Sequence, residues 1–395
     1  MKPPLSPSKD VFRGRRIYLL AAITLALALC VALYLSRQRP VPPVEPGGYA
    51  LGTAFSYFTV PVPGIPDAPA AWREAATIAD YAWIHRYWGA DYESPGYAAD
   101  VQAAQLAGLK LYISLGPFDE SKTSVSVPGN LKRADGSPCS GDFATPCVQE
   151  AYVEAVKSIA RTYQPDYFVM GVEVNLYAGP DYLAYVQTYK RAYDAIQQDP
   201  SIGRKPKMAA SFAFNPKDPR ANATALRRFL KEFSDVDQIT HRESVKLDVL
   251  AVSLYFPFWN VGSDPKDIPL DAFSSIMDVA GTSLPLFVSE TGWISRPFRT
   301  FSASESSQAS YIDRLKQIAA HAESLGKKID VITYVALVDM GGPCTQPQNV
   351  VETVDVGWYC YLGLIKPDGS PKLAHSAMRQ WKAELAAGPL SGKTK

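Results

Sequence analysis

Short apolar runs alternate with amphipathic helical patterns along most of this chain, and this alternation constrains the fold more than any other feature. Eight runs, rich in β-branched and aromatic residues, predict strands. They span 49–58, 81–88, 110–116, 167–174, 207–214, 248–256, 285–291 and 330–338. Strands that are apolar throughout, with amphipathic helices between them, are typical of a parallel sheet covered by helices.

Eight strand–helix pairs in roughly 340 residues predict a closed α/β barrel, the (β/α)8 or TIM barrel, over residues 48–387. Residues 388–395 would form a flexible tail. An open doubly wound sheet is the alternative. Its dinucleotide-binding form has a G-x-G-x-x-G turn after the first strand, and no such pattern follows 49–58. The count of eight therefore favours the barrel.

The N-terminal segment predicts a membrane anchor. Residues 1–16 form a basic tail, and residues 17–35 carry no charge. A helix of that length measures about 28 Å, close to the roughly 30 Å hydrocarbon core of a bilayer. A cleavable signal peptide is the alternative, but Tyr34, Leu35 and Arg37 stand where small residues would be needed.

The charge distribution around this segment predicts its orientation. More basic residues precede the apolar run than follow it, so the N-terminus would be cytoplasmic and the remainder periplasmic or otherwise extracytoplasmic. The proline-rich residues 36–47 would form a linker that holds the barrel away from a single-pass signal-anchor. With 40 basic and 39 acidic residues, the chain shows no basic patch that indicates a nucleic-acid partner.

Export would place four cysteines in an oxidising compartment. Their spacing permits two local disulfides, Cys139–Cys147 and Cys344–Cys360. Metal binding is the alternative, but neither a Cys-x-x-Cys motif nor a histidine spacing supports it. We therefore expect disulfides, and we expect neither a metal site nor a cofactor.

Active residues of a (β/α)8 barrel lie where its strands end. Two glutamates occupy such places: Glu173 follows the fourth predicted strand and Glu290 ends the seventh. Glycoside hydrolysis needs two carboxyl groups flanking the bond that breaks, and aromatic faces suit sugar rings. A lone glutamate at a strand end is more often a salt-bridging group. Candidate substrate contacts at the other strand ends are His85, Trp88, Asn215, Trp259 and Trp293.

Three short motifs carry a resemblance to a known group of enzymes. GVEVN at 171–175 is similar to G-N-E-x-N, SLYFPFW at 253–259 to S-Y-Y-P-[YF]-W, and SETGW at 289–293 to the motif of the seventh strand. On these residues the chain resembles the clan A retaining glycoside hydrolases. It looks most like the arabinogalactan endo-β-1,4-galactanases, with some resemblance to plant-type endo-β-1,3-glucanases.

The resemblance implies a retaining β-glycosidase that acts within an extracytoplasmic polysaccharide. Glu173 would be the acid/base and Glu290 the nucleophile. Tyr255 would hydrogen-bond Glu290, and Arg86 would lie beneath it and keep it ionised, because a nearby cation lowers a carboxyl pKa. Glu173 would need a drier setting to remain protonated.

The sequence departs from the clan pattern at two places. Val172 stands where the clan has an asparagine that contacts the sugar 2-hydroxyl, which suggests an unusual substrate, a substitute donor such as Asn175 or His85, or weakened catalysis. Leu337 or Val338 stands where the eighth strand presents a tryptophan. Two alternatives therefore remain open: a barrel that binds a glycan without cleaving it, and a transglycosylase that remodels a polysaccharide.

Overall fold

The computed structural model describes residues 48–54, 61–89, 95–119, 121–133, 135–236, 243–257, 264–298, 301–339 and 360–388. The predicted tail, anchor and linker in residues 1–47 lie outside these ranges, as do Trp259 and Cys344. No helix within the described ranges has both the length and the apolar character that a membrane crossing requires.

The described residues form eleven strands and eight helices. The strands are β1 Ala50–Ala54, β2 Tyr81–Tyr87, β3 Lys110–Gly116, β4 Tyr167–Val169, β5 Lys207–Ala209, β6 Ser211–Ala213, β7 Ser234–Val236, β8 Glu243–Val245, β9 Leu250–Ser253, β10 Leu286–Thr291 and β11 Ile329–Val335. The helices are α1 Ala68–Ala75, α2 Pro95–Leu106, α3 Pro146–Tyr163, α4 Tyr182–Gln198, α5 Pro219–Glu232, α6 Ala272–Ala280, α7 Glu305–Ser324 and α8 Leu373–Ala387.

Nine parallel strands close into a barrel with eight strand positions. The hydrogen-bonded order is β5-β4-β3-β2-β1-β11-β10-β9-β6. The segment 207–213 supplies both ends of this order, because β5 pairs with β4 while β6 pairs with β9. Each predicted strand therefore appears in the sheet, the predicted helical segments form α1 to α8, and the predicted TIM-barrel architecture is confirmed.

The barrel has an interior and an outer layer. Side chains that fill the interior come from alternate strand positions, such as Trp83, Tyr112, Tyr167 and Phe287. Their neighbours along the strands face outward and pack against the helices in a larger core. This alternation follows from the period of two in a β-strand, and it decides which residues at each strand end can reach the cleft.

The antiparallel ribbon of β7 and β8 was not among the predicted strands. It joins α5 to β9 and lies outside the barrel sheet.

One predicted disulfide lies within the described residues. Cys139 and Cys147 are bonded, with their Cα atoms 6.2 Å apart, just before and at the start of α3. Cys360 is also disulfide-bonded. Cys344, its predicted partner, lies outside the described residues, so that pairing stays a prediction.

Candidate active site

Glu173 stands in a tight turn just beyond β4. Its backbone has φ 51° and ψ 42°, the left-handed region that residues other than glycine rarely adopt. A short 3-10 turn, Val174–Leu176, follows at once. The Glu173 N–H donates to Ser211 Oγ at 2.8 Å, so β6 fixes the backbone from which this carboxyl group projects. A conformation that costs about 1–3 kcal/mol and is nevertheless held in place is typical of functional sites.

Gly171 allows the helices to hold this turn closely. Tyr185 Oη donates to the Met170 carbonyl at 2.9 Å, and Tyr152 Oη donates to the same oxygen. A Cβ atom on Gly171 would lie 2.0 Å from Tyr185 Oη. The glycine of the GVEVN motif is therefore required for contact between the end of β4 and the helices α3 and α4.

The side-chain amide of Asn175 joins the turn after β4 to the end of β6. Its Nδ2 donates to the Ala213 carbonyl at 3.1 Å, and its Oδ1 accepts from the Ala213 N–H at 2.7 Å. The side chain thus binds the end of β6 much as a neighbouring strand would. These two bonds use only one of the two Nδ2 hydrogens, so a contact of Asn175 with a sugar hydroxyl stays a prediction.

Glu290 reaches the barrel interior because of an irregularity in β10. Phe287 faces inward and Val288 outward, so regular alternation would turn Glu290 outward. The register of β10 shifts after Val288 against both β9 and β11. Thr291 then contacts Tyr311 on the helix side, while Glu290 contacts Tyr255. A β-bulge re-aims the side chain in this way.

The surroundings of Glu290 bind a proton tightly. The residue is 6% exposed, and Tyr255 Oη donates to its Oε2 at 3.1 Å. Burial and then the negative charge of Glu173 raise the pKa of Glu290 to about 8, against smaller opposing effects of Lys122 and the Tyr255 hydrogen bond. The two carboxyl groups are therefore near enough to influence each other across the cleft. The predicted hydrogen bond from Tyr255 is confirmed.

The predicted role of Arg86 is wrong. Trp83 faces the barrel interior, so the alternation along β2 turns His85 inward and Arg86 outward. The Arg86 guanidinium forms a 3.0 Å ion pair with Asp100 of α2 and lies over the ring of Tyr97. It therefore does not lie beneath Glu290.

The expectation that Glu290 has a lowered pKa is also wrong. Glu290, the carboxyl group expected to be kept ionised, has the raised pKa. The positive charge that lowers it belongs to Lys122. Lys122 lies in the loop after β3, where it adopts φ 56°, and no sequence motif had marked it.

His85 faces the barrel interior, as the alternation of side chains along β2 requires, and is half-buried. Its Nδ1 lies 2.8 Å from Ser114 Oγ on β3. Trp83 Nε1 donates to the same oxygen at 2.7 Å. Burial, followed by the positive charges of Lys122 and Arg86, lowers the pKa of His85 to about 3, so the ring is neutral at ordinary pH. A sugar contact by His85 stays a prediction.

Two of the predicted aromatic contacts are wrong. Trp88 is 1% exposed and packs against Phe143 and Tyr152 outside the barrel. Trp293 is fully buried, and its ring stacks on Tyr311 of α7 with centroids 5.1 Å apart. Both side chains face the helix layer, so neither offers a free face to a sugar.

Two further candidates stay predictions. Asn215 lies in the turn before α5, where its Oδ1 accepts from the Lys217 N–H at 2.9 Å. Trp259 lies outside the described residues.

At the end of β11, the eighth barrel strand, the residues that face the interior are not the ones we expected. Leu337 and Val338 belong to the outer core and not to the cleft. Val335 and Ala336 face the interior and are 8% and 9% exposed. The peptide bond between them is cis. Small apolar side chains therefore occupy the place where the clan pattern led us to look for an aromatic floor.

Sequence reasoning missed several residues that shape the site. Ser114, Ser211 and Lys122 are polar residues in segments that we interpreted only as strand or loop. The period of two along β2 could have shown that His85 shares a face with Trp83, and that Arg86 does not. The interstrand partners of Ser114 and Ser211 had no signal in the sequence, because they depend on strand register.

No protein-family model matches the chain, and none of the curated proteins matches its sequence. Solved structures match its fold. GH5_18 from Bifidobacterium longum, determined with Manβ1-4GlcNAc, aligns with a TM-score of 0.59 at 12% identity, over 86% of this chain and 79% of that one. Fungal β-1,4-galactanases align with a TM-score of 0.58 at 15% identity, over 84% of this chain and 100% of that one.

A family 39 glycoside hydrolase from Bacteroides cellulosilyticus aligns with a TM-score of 0.53 at 14% identity, over 85% of this chain and 63% of that one. These structural neighbours are glycoside hydrolases, including the galactanases that the motifs resembled. The predicted resemblance to the clan A glycoside hydrolases is confirmed for the fold. At such low identities the likeness establishes the barrel fold alone.

Proposed function

We propose that the protein is a retaining β-glycosidase in which Glu290 is the nucleophile and Glu173 the acid/base. One observation carries the proposal: two glutamates come from different strand ends at the barrel rim, and the charge of Glu173 is, after burial, a cause of the raised pKa of Glu290. The hydrogen bond from Tyr255 supports it, because it stabilises the ionised form of a group that must attack carbon.

The protonation of the pair suits this chemistry. With the pKa of Glu290 raised to about 8, this carboxyl group holds a proton near neutral pH. Double displacement needs one proton in the pair. In the first step Glu290 bonds to the anomeric carbon, the glycosidic C–O bond breaks, and the proton leaves Glu173 for the departing oxygen. In the second step water gives a proton to Glu173, its oxygen bonds to the anomeric carbon, and Glu290 is released.

Glu290 holds a proton near neutral pH, whereas the first step needs Glu290 ionised and a proton on Glu173. Positive charge that develops at the anomeric carbon favours an ionised carboxylate beside it. The transition state would therefore favour an ionised Glu290 with the proton on Glu173. The resemblance suggests a β-linked extracytoplasmic polysaccharide cleaved internally, with β-1,4-galactan as the first substrate to test.

Azide rescue tests the two roles separately. With an activated aryl β-glycoside, Glu173→Ala should lose at least about a hundredfold in activity and give a β-glycosyl azide, since azide attacks the glycosyl-enzyme. Glu290→Gly should be inactive alone and give the α-glycosyl azide, since azide attacks once from the nucleophile's side. Glu154→Gln, an exposed glutamate on α3, is the matched control and should retain full activity. Full hydrolysis by Glu290→Gly without azide would exclude the assignment.

A barrel that binds glycan without hydrolysing it is the second candidate. The apolar side chains of Val172, Val335 and Ala336 favour it, because they supply no hydrogen bonds to a sugar. Binding of β-linked oligosaccharides with no products after long incubation of the full-length chain would support this candidate. Products longer than the substrate would instead indicate transglycosylation, in which a sugar hydroxyl replaces water.

We also propose that residues 17–35 anchor the protein in a membrane, with the barrel on the extracytoplasmic side. The uncharged run and the basic residues before it support this proposal. Fractionation of cells that express the full-length chain should recover it with membranes after a carbonate wash. Recovery in the soluble fraction would contradict the anchor, without bearing on the glycosidase.

A further inference from the structure

The neighbours of His85 fix where its proton lies. The Trp83 indole N–H can only donate, and it donates to Ser114 Oγ at 2.7 Å. His85 Nδ1 lies 2.8 Å from the same oxygen. Ser114 is fully buried, and within the described residues its hydroxyl has no other acceptor. The arrangement that gives every hydrogen a partner points the Ser114 hydroxyl hydrogen at Nδ1 and leaves the ring hydrogen on Nε2.

The geometry of the ring directs Nε2 away from Ser114. Nδ1 faces Ser114, within β3. The next ring atom, Cε1, lies 3.2 Å from the place where a Cβ on Gly116 would stand, closer to the rim. Nε2 comes next around the ring and so lies on the side away from Ser114. Among the described residues no side chain or backbone group bonds to it. The T-shaped contact with Tyr87, at 4.9 Å, restricts rotation of the ring.

The His85 ring lies on the same side of the barrel interior as groups that interact electrostatically with Glu290. Trp83 stacks on Tyr112 with centroids 5.8 Å apart. The charge of Glu290 is among the causes that raise the pKa of Tyr112, after burial. Lys122 acts electrostatically on both His85 and Glu290. His85 therefore faces the same barrel interior as Glu290.

We propose that Trp83 and Ser114 are positioning residues that hold His85 as a neutral Nε2–H donor to a hydroxyl oxygen of the sugar bound beside Glu290. The proposal rests on the proposed function and adds a specificity residue to it. A donor of this kind favours a sugar with a free hydroxyl at that place and disfavours a deoxy analogue. The three side chains are called the Trp83–Ser114–His85 relay below.

The protonation state can be measured without any activity. The chain has four histidines, so 15N-histidine labelling of the full-length protein gives an assignable NMR spectrum once His85→Gln removes one set of signals. His85 should show the Nε2–H tautomer throughout pH 5 to 8. Ser114→Ala should convert part of the population to the Nδ1–H tautomer. An Nδ1–H or cationic His85 in the wild-type protein at pH 6 would overturn the relay.

Two amide substitutions separate the two ring nitrogens in kinetics. The glutamine amide reaches the place of Nε2, and the asparagine amide reaches that of Nδ1. On an aryl β-glycoside, His85→Gln should lower kcat/KM by no more than about fivefold, whereas His85→Asn should lower it about 10- to 100-fold. The pH profile should keep its shape in both variants, because the wild-type ring does not titrate in the working range. Equal losses in the two variants would overturn the sugar contact.

Failure of the proposed function is distinguishable from failure of this inference. If the wild-type chain cleaves no glycoside, β-1,4-galactotetraose is added to the labelled protein. A shift of the His85 Nε2 resonance that Ser114→Ala weakens would then support the donor in a binding barrel. No shift at saturating galactotetraose would refute the contact, and hydrolysis with an unshifted Nε2 would refute it while the glycosidase assignment remained.

Discussion

Asp330 and Glu290 are buried to a similar degree inside one barrel, yet they lie at its opposite ends. Asp330 is 9% exposed near the start of β11, and Glu290 is 6% exposed near the end of β10. Each accepts a hydrogen bond from a tyrosine hydroxyl, Tyr167 at 2.9 Å for Asp330 and Tyr255 at 3.1 Å for Glu290. Burial and the tyrosine are therefore common to the two sites.

The charged neighbour of the carboxyl group differs between the two sites. Lys207 forms an ion pair with Asp330, whereas the charged neighbour that most affects Glu290 is another carboxylate, Glu173. A cation compensates for the cost of burying a charge, and a second anion increases that cost. The first arrangement favours an ionised carboxylate, and the second favours a protonated one.

Other carboxyl groups at the N-terminal end of the barrel also have bonding partners. Three aspartates, each one residue or two before a strand, accept the backbone N–H of the preceding barrel strand. Asp80 accepts from Leu51, Asp166 from Leu111 and Asp248 from Met208. In a (β/α)8 barrel the N-terminal face serves stability, and these three aspartates fit that role.

Removing the charge at each end should change stability in opposite directions, and this is the largest effect expected. Glu290→Gln should raise the free energy of unfolding at pH 8 by several kcal/mol, at most about 5, because the buried carboxyl group no longer has to ionise. Asp330→Asn should lower it by about 1–2 kcal/mol, because Lys207 loses its partner. Urea unfolding at pH 5 and pH 8 measures both.

The gain from Glu290→Gln should depend on pH. Below the ordinary pKa of 4.5 the carboxyl group is protonated in both the folded and the unfolded state. As the pH rises towards about 8, only the unfolded state releases the proton, which favours unfolding of the wild-type protein. The stability difference should therefore grow between these two pH values. An equal difference at pH 5 and pH 8 would contradict the raised pKa of Glu290.

Deleting the tyrosine hydroxyl at each end gives a smaller effect. Tyr255→Phe removes a hydrogen bond that lowers the pKa of Glu290, so kcat/KM should fall by about 10- to 100-fold and the acidic limb of the pH profile should move to higher pH. Tyr167→Phe should cost about 1 kcal/mol of stability and leave kcat/KM unchanged. Similar activity losses in the two variants would show that the ends do not differ in function.

The smallest effect on activity is expected at Arg86. Arg86→Met removes the ion pair with Asp100 outside the barrel, so stability should fall by about 2 kcal/mol while kcat/KM per folded molecule stays within about twofold. Michaelis–Menten kinetics with the folded fraction measured by circular dichroism test this. A loss of a hundredfold would mean that Arg86 acts on Glu290 after all.

The strands, helices and both glutamates could be predicted because each has a local signal. Apolar runs of strand length marked the barrel strands, and Glu173 and Glu290 stood directly at their ends. The errors at Arg86, Trp88 and Trp293 share one cause: a side chain near a strand end was assumed to face the cleft. Two of these three follow from the period of two along β2, and the third follows from the altered phase of β10 after its bulge.

The sequence alone determined the barrel and the two acidic residues at its rim, since hydrophobic periodicity and strand-end position are properties of short segments. Tertiary structure decided which groups meet. The bulge in β10 turned Glu290 towards the interior, the register between β2 and β3 joined Ser114 to His85, and closure of the sheet brought Glu173 near Glu290. These contacts join residues far apart in the chain, so their free energies depend on strand register and burial, which no short segment specifies.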